Sequence, residues 1–272
     1  CAGKNNYESV RERVSLSGEW ETTLGACNLP GTTDENRLGS GEHPKNVTHQ
    51  LTRTHPFYGK VIYEKDITIP DNWKGKRMVL FMERTKPSTL WIDGDSIGSL
   101  GHIYAPHTYL LPELAGGRHH IKIRIDNSKD AVPKEIQGSH AWTDGTQTNW
   151  NGILGDFHIE ATPHTYIKDV QAYPSVKERK TAVILHINSS SEQNGTIKIE
   201  SSSCNSARTH TIPAIKEKVE LNEGENRIEM MLDMGEDMLT WSEFHPALYR
   251  LNASLSTKDG KDNQIIQFGM RD

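Results

Sequence analysis

The sequence predicts an all-β protein, and three features of its 272 residues lead to that prediction. Apolar and polar residues alternate with a period of two, as where Ile121, Ile123 and Ile125 are separated by basic residues, which is typical of strands with one buried face. Clusters of Gly, Pro, Asn and Asp stand between these runs. Helical periodicity is nearly absent. Many short strands separated by such turns indicate β-sandwiches or barrels.

In the first half of the chain, two apolar runs mark particular strands. The continuous run at 78–82 predicts a central strand that is buried on both faces. The run at 90–92 is followed by Asp93-Gly94, which favours a tight hairpin turn because both positions tolerate positive φ. Gly116-Gly117 is interpreted in the same way, as the turn of another hairpin.

The best internal boundary lies at 161–164, where Pro163 stops a strand from running through. We therefore expect a tether at 1–13, a first domain at 14–163 and a second domain at 164–272. The size and strand number of the second domain fit an immunoglobulin-like sandwich, without the Cys and Trp hallmark of antibody domains. Its strand candidates are 166–173, 181–188, 195–202, 207–212, 216–221, 226–232 and 248–257, with a closing strand near 264–268.

The composition argues against several classes of protein. The net charge of −5 argues against a nucleic-acid-binding protein, which usually has a basic excess. No run approaches the roughly 18 apolar residues that a transmembrane helix needs. The three cysteines do not make a disulfide framework, and none has zinc-ligand spacing. Asp126, Asn127 and Asp130 are interpreted as a plain turn, with a calcium site as the alternative, so neither a cofactor nor a metal is predicted.

The chain begins Cys-Ala-Gly, without an initiator Met, and continues into a short polar segment. Cys1 in this position resembles the lipid-acceptor cysteine of a processed bacterial lipoprotein. That resemblance implies an exported protein of a Gram-negative cell envelope, periplasmic or at the outer membrane, which contacts the membrane only through a lipid on Cys1. The alternative is a sequence boundary that happens to fall at a cysteine.

Several segments of the first domain share their order and spacing with one enzyme family. These segments are Leu16–Glu21, 63–65, 67–70, 73–77, 82–94, 109–114 with 121–127, and Trp150–Asp156. Together they resemble glycoside hydrolase family 2, the β-galactosidase and β-glucuronidase group. The resemblance implies a galactose-binding-like jelly-roll β-sandwich, the sugar-binding domain of that family, over residues 14–163.

The second domain contains further segments of the same kind, Leu239–Ser242 with Pro246–Tyr249, and Phe268–Asp272. They resemble the family's immunoglobulin-like module and its junction with a catalytic (β/α)8 barrel. In the family, two barrel glutamates hydrolyse the glycosidic bond with retention, and such a barrel needs on the order of 250 further residues. Asn222-Glu223, the only Asn-Glu pair, is interpreted as a turn. We therefore expect an N-terminal part with no catalytic residue of its own, inactive by itself, whose partner is its own barrel.

The loop 139–151 has the side chains that are expected to contact a sugar. Sugars present hydroxyls that need paired donors and acceptors, and C–H faces that stack on aromatic rings. In the family, this loop reaches into the active site of the barrel. The resemblance gives as substrate-binding candidates Asp144, Thr146, Gln147, Asn149 and Trp142. The alternative is that the amides only satisfy the loop backbone, and Trp150 is expected in the core.

A second candidate region is the turn at 84–86, where polar residues lie between two apolar runs. By the resemblance, this turn also faces the pocket of the barrel. A cation at Arg84 or Lys86 suits an acidic sugar or pairs with a barrel carboxylate. The alternative is an ordinary solvated turn.

Two functions of different classes follow. The first is the non-catalytic front part of an exported retaining β-glycosidase that acts on a terminal β-linked sugar in carbohydrate metabolism. Galactoside, glucuronide and mannoside specificities share this front part, so the resemblance implies the bond class and not the sugar. The alternative is a stand-alone carbohydrate-binding or adhesion module of the cell envelope, because fold does not fix function. A purely structural envelope protein is a weaker third option.

Overall fold

The computed structural model describes residues 7–40, 53–143, 146 and 148–271, and these residues are mostly in β-strands. They form two compact units, one over Arg13–Ala161 and the other over the described parts of Cys1–Glu12 and Thr162–Asp272. The only helices among the described residues are two single 3-10 turns, Asp71–Trp73 and Lys129–Ala131. No helix in the described ranges is long and apolar enough to cross a membrane. The all-β prediction is confirmed.

The first unit consists of two sheets. Its strands are β1 (Glu12–Ser15), β2 (Gly18–Thr22), β3 (Cys27–Leu29), β4 (Gly31–Thr32), β5 (Lys60–Ile69), β6 (Arg77–Thr85), β7 (Ser88–Ile92), β8 (Asp95–Leu100), β9 (His107–Leu110), β10 (Gly117–Asp126) and β11 (Gly152–Thr162). One sheet has the order β1-β11-β6-β9, with β4 beside β11, and the other has the order β3-β2-β5-β10-β7-β8.

The two sheets of the first unit share one apolar core, which makes them a β-sandwich as expected. Its largest fully buried side chains include Trp20, Tyr63 and Trp73. Strand β6 lies between β11 and β9, and its residues Met78–Leu80 are buried without interruption. The prediction of a central strand over 78–82 is therefore confirmed, and burial on both faces holds for Met78–Leu80, whereas Phe81 is half-buried.

The turn between β7 and β8 is the predicted hairpin. Asp93 has a φ of 53° and Gly94 a φ of 93°, and β7 and β8 pair directly on either side of them. Two successive positive φ values are what a two-residue hairpin loop of this kind requires.

The interpretation of Gly116-Gly117 as a hairpin turn is wrong. Strand β9 pairs with β6 in one sheet, whereas β10 pairs with β5 and β7 in the other. The glycines therefore lie on a connection that crosses between the sheets. A Cβ atom on Gly116 would lie 2.0 Å from the carboxylate of Asp71, so close packing against the 3-10 turn explains this glycine.

The second unit is also a two-sheet sandwich, with an immunoglobulin-like number of strands. They are β12 (Tyr166–Ser175), β13 (Lys180–Ser189), β14 (Gln193–Ser203), β15 (Thr211–Leu221), β16 (Gly224–Asp233), β17 (Tyr249–Thr257) and β18 (Gly260–Phe268). The sheet orders are β12-β13-β16 and β15-β14-β17-β18. One apolar core lies between them, around Leu185, Ile197 and Tyr249.

Two details of this unit correct the sequence analysis. The separate strand candidates 207–212 and 216–221 are one strand, β15, which continues past Pro213. Proline is tolerated there because β15 is the edge strand of its sheet and its pairing is irregular near this point. Asn222-Glu223 lies in a turn as predicted, but that turn joins strands of different sheets and is not a hairpin.

Residues 7–12, which belong to the expected tether, pack against the second unit. The guanidinium of Arg11 donates to both carboxylate oxygens of Asp262, at 2.7 and 2.9 Å, and to the carbonyl oxygen of Ile167 at 2.6 Å. Asn263 accepts from the backbone N–H of Val10 and donates to the carbonyl of Glu8, both at 2.8 Å. The side chain of Asp262 is fully buried, so Arg11 neutralises a charge inside the unit.

Candidate functional site

The candidate loop of the first unit is closed at a narrow neck. The backbone N–H of Thr148 donates to the carbonyl of Thr143 at 3.1 Å, and the hydroxyl of Thr148 accepts from the N–H of Thr143 at 2.9 Å. These two threonines hold the ends of the segment 144–147 together. Thr143 and Thr148 form the neck of the loop, and of the residues between them the structure describes only Thr146.

A buried lysine supports the neck from below. Lys86 is only 5% exposed, and its ammonium donates to the carbonyl oxygen of Thr148. The same Nζ lies 5.0 Å from the ring centroid of Trp142 and 4.5 Å from that of Trp150. The rings of Trp142 and Trp150 and the carbonyl of Thr148 thus surround the buried ammonium of Lys86. The ring quadrupoles attract its positive charge.

The pKa of Lys86 is lowered to about 8. Burial is the main cause, because it penalises the charged form, and the nearby positive charge of Arg53 lowers it further. Arg53 is itself largely buried and lies over the ring of Tyr58, 5.4 Å from its centroid. Lys86 is therefore still protonated at neutral pH, but it gives up its proton far more readily than a surface lysine.

Beneath the loop, buried amides connect several strands. The side chain of Asn151 accepts from the hydroxyl of Tyr63 at 2.8 Å and donates to the carbonyl of Ile125 at 3.1 Å and to the amide oxygen of Asn127 at 3.1 Å. Asn151, Asn127 and Tyr63 are all fully buried. Because each polar group in this low-dielectric region has a partner, the network stabilises the point from which the loop departs.

Asn127 ties the same network to the loop. It donates to the side-chain oxygen of Asn149 at 3.2 Å and accepts from the N–H of Gly59 at 3.0 Å. The neighbouring Asp126 accepts from the N–H of Ser128 at 2.9 Å, which is the contact of an ordinary turn. Asp126 and Asn127 therefore each have a side-chain oxygen that accepts a hydrogen bond in this turn.

The family model described as "Glycosyl hydrolases family 2" matches residues 165–271. The second unit is therefore similar to a domain of the family 2 glycosyl hydrolases. The match covers the second unit from β12 to the end of β18, which is the immunoglobulin-like module named in the sequence analysis. The resemblance stated there is confirmed.

Solved structures with the same fold come from family 2 enzymes. A β-glucuronidase of Bacteroides uniformis matches with a TM-score of 0.71 at 16% identity, over 96% of this chain and 32% of its own. A β-D-mannosidase from Dictyoglomus thermophilum gives 0.73 at 17% identity, over 96% and 36%. A β-galacturonidase from Eisenbergiella tayi bound to galacturonate gives 0.67 at 20%, over 98% and 45%.

The chain therefore spans between about a third and a half of the length of these family 2 enzymes. No curated protein matches the sequence. At these levels of identity the likeness concerns the fold, and the three enzymes act on different sugars by their names. The fold of this chain thus occurs in enzymes whose names give different sugars.

The seven predicted substrate-binding residues of the loop and turn fall into three groups. Thr146 and Arg84 are exposed. Lys86, Trp142 and Asn149 are buried, with exposed fractions between 3% and 6%, and they support the neck and the amide network. Asp144 and Gln147 lie outside the described residues, as does Cys1, the predicted lipid anchor.

Sequence reasoning missed three residues that build this site, Tyr63, Asn151 and Arg53. Asn151 belongs to the segment Trp150–Asp156 and to the loop 139–151, but it is not among the predicted site residues, although the Asn-Gly pair at 151–152 indicates unusual backbone geometry. Gly152 has a φ of 143°, and a Cβ atom there would lie 2.2 Å from the carbonyl oxygen of Gly31. No local sequence pattern indicates that Arg53 belongs to the site. In the described part of the chain, no group of three or more His, Cys, Asp or Glu side chains could hold a metal ion.

Proposed function

We propose that the two units are the non-catalytic front part of a retaining β-glycosidase of family 2, whose catalytic barrel is carried by the same polypeptide. The observation that carries this proposal is the match of residues 165–271 to the family. The likeness of almost the whole chain to about a third of two longer family 2 enzymes supports it. In this proposal the reaction is hydrolysis of a terminal β-glycosidic bond, and both reacting glutamates belong to the barrel.

The segment 144–147 of the loop is proposed to contact the sugar at the cleaved position. Thr146 is exposed, and Asp144 and Gln147 have the carboxylate and amide chemistry that pairs with sugar hydroxyls. The hydrogen bonds between Thr143 and Thr148 fix the backbone on either side of this segment. Arg84, which is also exposed, suits an acidic sugar or a barrel carboxylate.

The enzymatic part of the proposal is tested by comparing two proteins on a panel of aryl β-glycosides, namely the galactoside, glucuronide, galacturonide and mannoside. One protein is residues 1–272, and the other is the product of the whole open reading frame. We expect turnover of at least one substrate by the longer protein and none by residues 1–272. Turnover by residues 1–272 alone, or a reading frame without a barrel, contradicts the proposal.

The role of the loop is tested in the longer protein with Gln147→Ala and Thr146→Ala. Removing a hydrogen bond made in both the ground and transition states raises KM and leaves kcat unchanged, whereas a bond made only in the transition state lowers kcat. We expect a loss of about 5-fold to 50-fold in kcat/KM, corresponding to one hydrogen bond. Thr68→Ala, at an exposed position of β5, is the matched control. Unchanged kcat/KM in both loop variants contradicts the loop assignment.

Export and anchoring through Cys1 belong to the same proposal. A lipid on this cysteine would hold the enzyme at the cell envelope, where polymeric sugars are met. The test is fractionation of cells that express the whole gene, with a Cys1→Ser variant alongside. We expect the native protein in the membrane fraction and the variant in the soluble fraction. Equal partition of the two proteins contradicts anchoring at this residue.

A further inference from the structure

A half-buried tryptophan lies between basic side chains on the outer face of the six-stranded sheet. Strands β7 and β10 pair in register, so Trp91 is directly opposite Lys122, and Thr89 is opposite Arg124. Their neighbours in sequence, Leu90, Ile121 and Ile123, are fully buried in the core. Because side chains alternate along a strand, Trp91, Lys122 and Arg124 all project from the opposite, outer face.

The tryptophan holds the two cations close together. Lys122 Nζ is 5.0 Å from the ring centroid of Trp91, and Arg124 Cζ is 5.7 Å from it. Arg124 also donates to the hydroxyl of Thr89 at 3.0 Å, and that hydroxyl is 2.8 Å from the hydroxyl of Ser99. These contacts fix the guanidinium on the sheet, while no hydrogen bond from a described residue restrains the ammonium of Lys122.

No carboxylate of the described residues lies within ion-pair distance of these two cations. Glu64 is directly opposite Lys122 on β5, but its side chain contacts the ring of His120, at 3.8 Å. The next acid on the same strand, Asp66, pairs with Arg118 and His120. Lys122 and Arg124 have no ion pair within the described ranges. Two positive charges therefore lie side by side on an open, half-buried aromatic surface.

We propose that Trp91, Lys122 and Arg124 form a second carbohydrate-binding site, which takes an oligosaccharide that carries carboxylates. The two cations would pair with a uronic-acid carboxylate, and Arg124 can do so with the fork geometry that favours bidentate pairing. Trp91 and the hydroxyl of the exposed Ser99 supply the aromatic surface and a polar group that sugars require. The anionic character follows from the two unneutralised charges, whereas the sugar class rests on the proposed function.

The experiment is a binding titration of residues 1–272 with trigalacturonic acid and with its trimethyl ester, which has the same backbone without charge. Binding is measured by calorimetry, so the result does not depend on turnover and is separate from the test of glycosidase activity. We expect saturable binding of the acid, no binding of the ester, and an affinity that falls with salt, because exposed charges are screened.

The variants are Lys122→Gln and Trp91→Leu, with Lys65→Gln as the matched control. Lys65 makes the same kind of contact, 5.7 Å from the ring centroid of Trp20, but that ring is buried and only 1% exposed. Loss of one exposed ion pair should raise Kd about threefold to fivefold in Lys122→Gln, and the control should keep the native Kd. Circular dichroism melting establishes that each variant is folded.

Four results would overturn the site. They are no binding of the acid, equal binding of the acid and the ester, an unchanged Kd in both Lys122→Gln and Trp91→Leu, and equal weakening by Lys65→Gln. Citrate is added as a competitor that carries three carboxylates and no sugar ring. If citrate displaces the trisaccharide at equal concentration, the surface binds small anions and the carbohydrate proposal is wrong.

Discussion

Lys86 and Lys122 both lie about 5 Å from tryptophan rings in the first unit, yet their surroundings differ completely. Lys86 is 5% exposed and lies beneath a loop neck. Lys122 lies on an open sheet face and is half-buried. The same pair of residue types therefore supports a loop in one place and offers a charged surface in the other, and burial is what separates the two roles.

The physical consequence is a difference in what each contact costs. Taking the ammonium of Lys86 out of water penalises its charged form and lowers its pKa to about 8, so its aromatic and carbonyl partners must offset that penalty. Lys122 keeps much of its hydration, and such exposed contacts contribute about 1 kcal/mol or less. Removing a buried contact should thus alter stability, whereas removing an exposed one should alter binding.

The strongest test of this distinction lies in the second unit, where Arg11 pairs with the fully buried Asp262. Arg11→Ala leaves that carboxylate without its cation, and breaking a buried pair in this way costs about 3 to 4 kcal/mol. Arg13 is the matched control, because its pair with Glu160 is half exposed on the arginine side. Arg13→Ala should cost about 1 kcal/mol or less.

Denaturant unfolding followed by circular dichroism measures both free energies. A loss that is equal in the two arginine variants would show that burial does not separate these contacts.

The amide network beneath the loop should give the next largest effect. Asn151→Ala leaves the hydroxyl of Tyr63 and the carbonyl of Ile125 without their partner, and unsatisfied buried groups cost about 1 to 3 kcal/mol each. We expect a loss of about 3 kcal/mol in the unfolding free energy of the first unit. Tryptophan fluorescence reports mainly on this unit, because it contains five of the six tryptophans. The exposed Asn28 provides the control, and a similar loss in Asn28→Ala would contradict the role of the network.

The buried lysine predicts a particular pH dependence. The pKa of Lys86 is depressed in the folded state, so the unfolded chain binds more protons between about pH 8 and the ordinary value of 10.5, and stability rises with pH across this window. Other groups titrate there too, so the quantity to measure is the difference between the native protein and Lys86→Met. We expect that difference to change by about 2 to 3 kcal/mol in favour of the native protein. A flat difference would contradict burial of the charge.

The exposed lysine gives the smallest effect on stability. Lys122→Gln should change the unfolding free energy by less than about 0.5 kcal/mol, as surface substitutions usually do, because its cation–π contact to Trp91 is solvated. Thermal melting of this variant beside Lys86→Met measures the contrast. A stability loss as large as that of Asn151→Ala would mean that the Trp91 face is structural and not an open surface.

Local sequence signals predicted much of the fold. Alternation at Ile121, Ile123 and Ile125 predicted β10, and Asp93-Gly94 predicted the hairpin between β7 and β8, because period and turn chemistry act within a few residues. The signal at Gly116-Gly117 predicted a change of direction but not the sheet that the next strand joins. Strand partners depend on contacts between distant segments, which a local pattern does not contain.

The candidate site was less predictable than the fold, for the same reason. Tyr63 and Asn151 are 88 residues apart in the chain, and Arg11 and Asp262 are 251 apart. Lys86 is a charged residue at a turn, where exposure is the ordinary expectation. Its burial follows from its contacts with Trp142 and Trp150, which the local sequence around Lys86 does not indicate. Polar residues that support a site and polar residues that contact a ligand have the same appearance in a sequence.

The most direct test of the burial of Lys86 beneath the loop neck is a nuclear magnetic resonance titration of the lysine side chains of residues 1–272. One lysine should titrate with a pKa near 8, and its signal should be missing from Lys86→Met and present in Lys122→Gln. If every lysine titrates near the ordinary value of about 10.4, the ammonium of Lys86 is in water and the account of the loop neck is wrong.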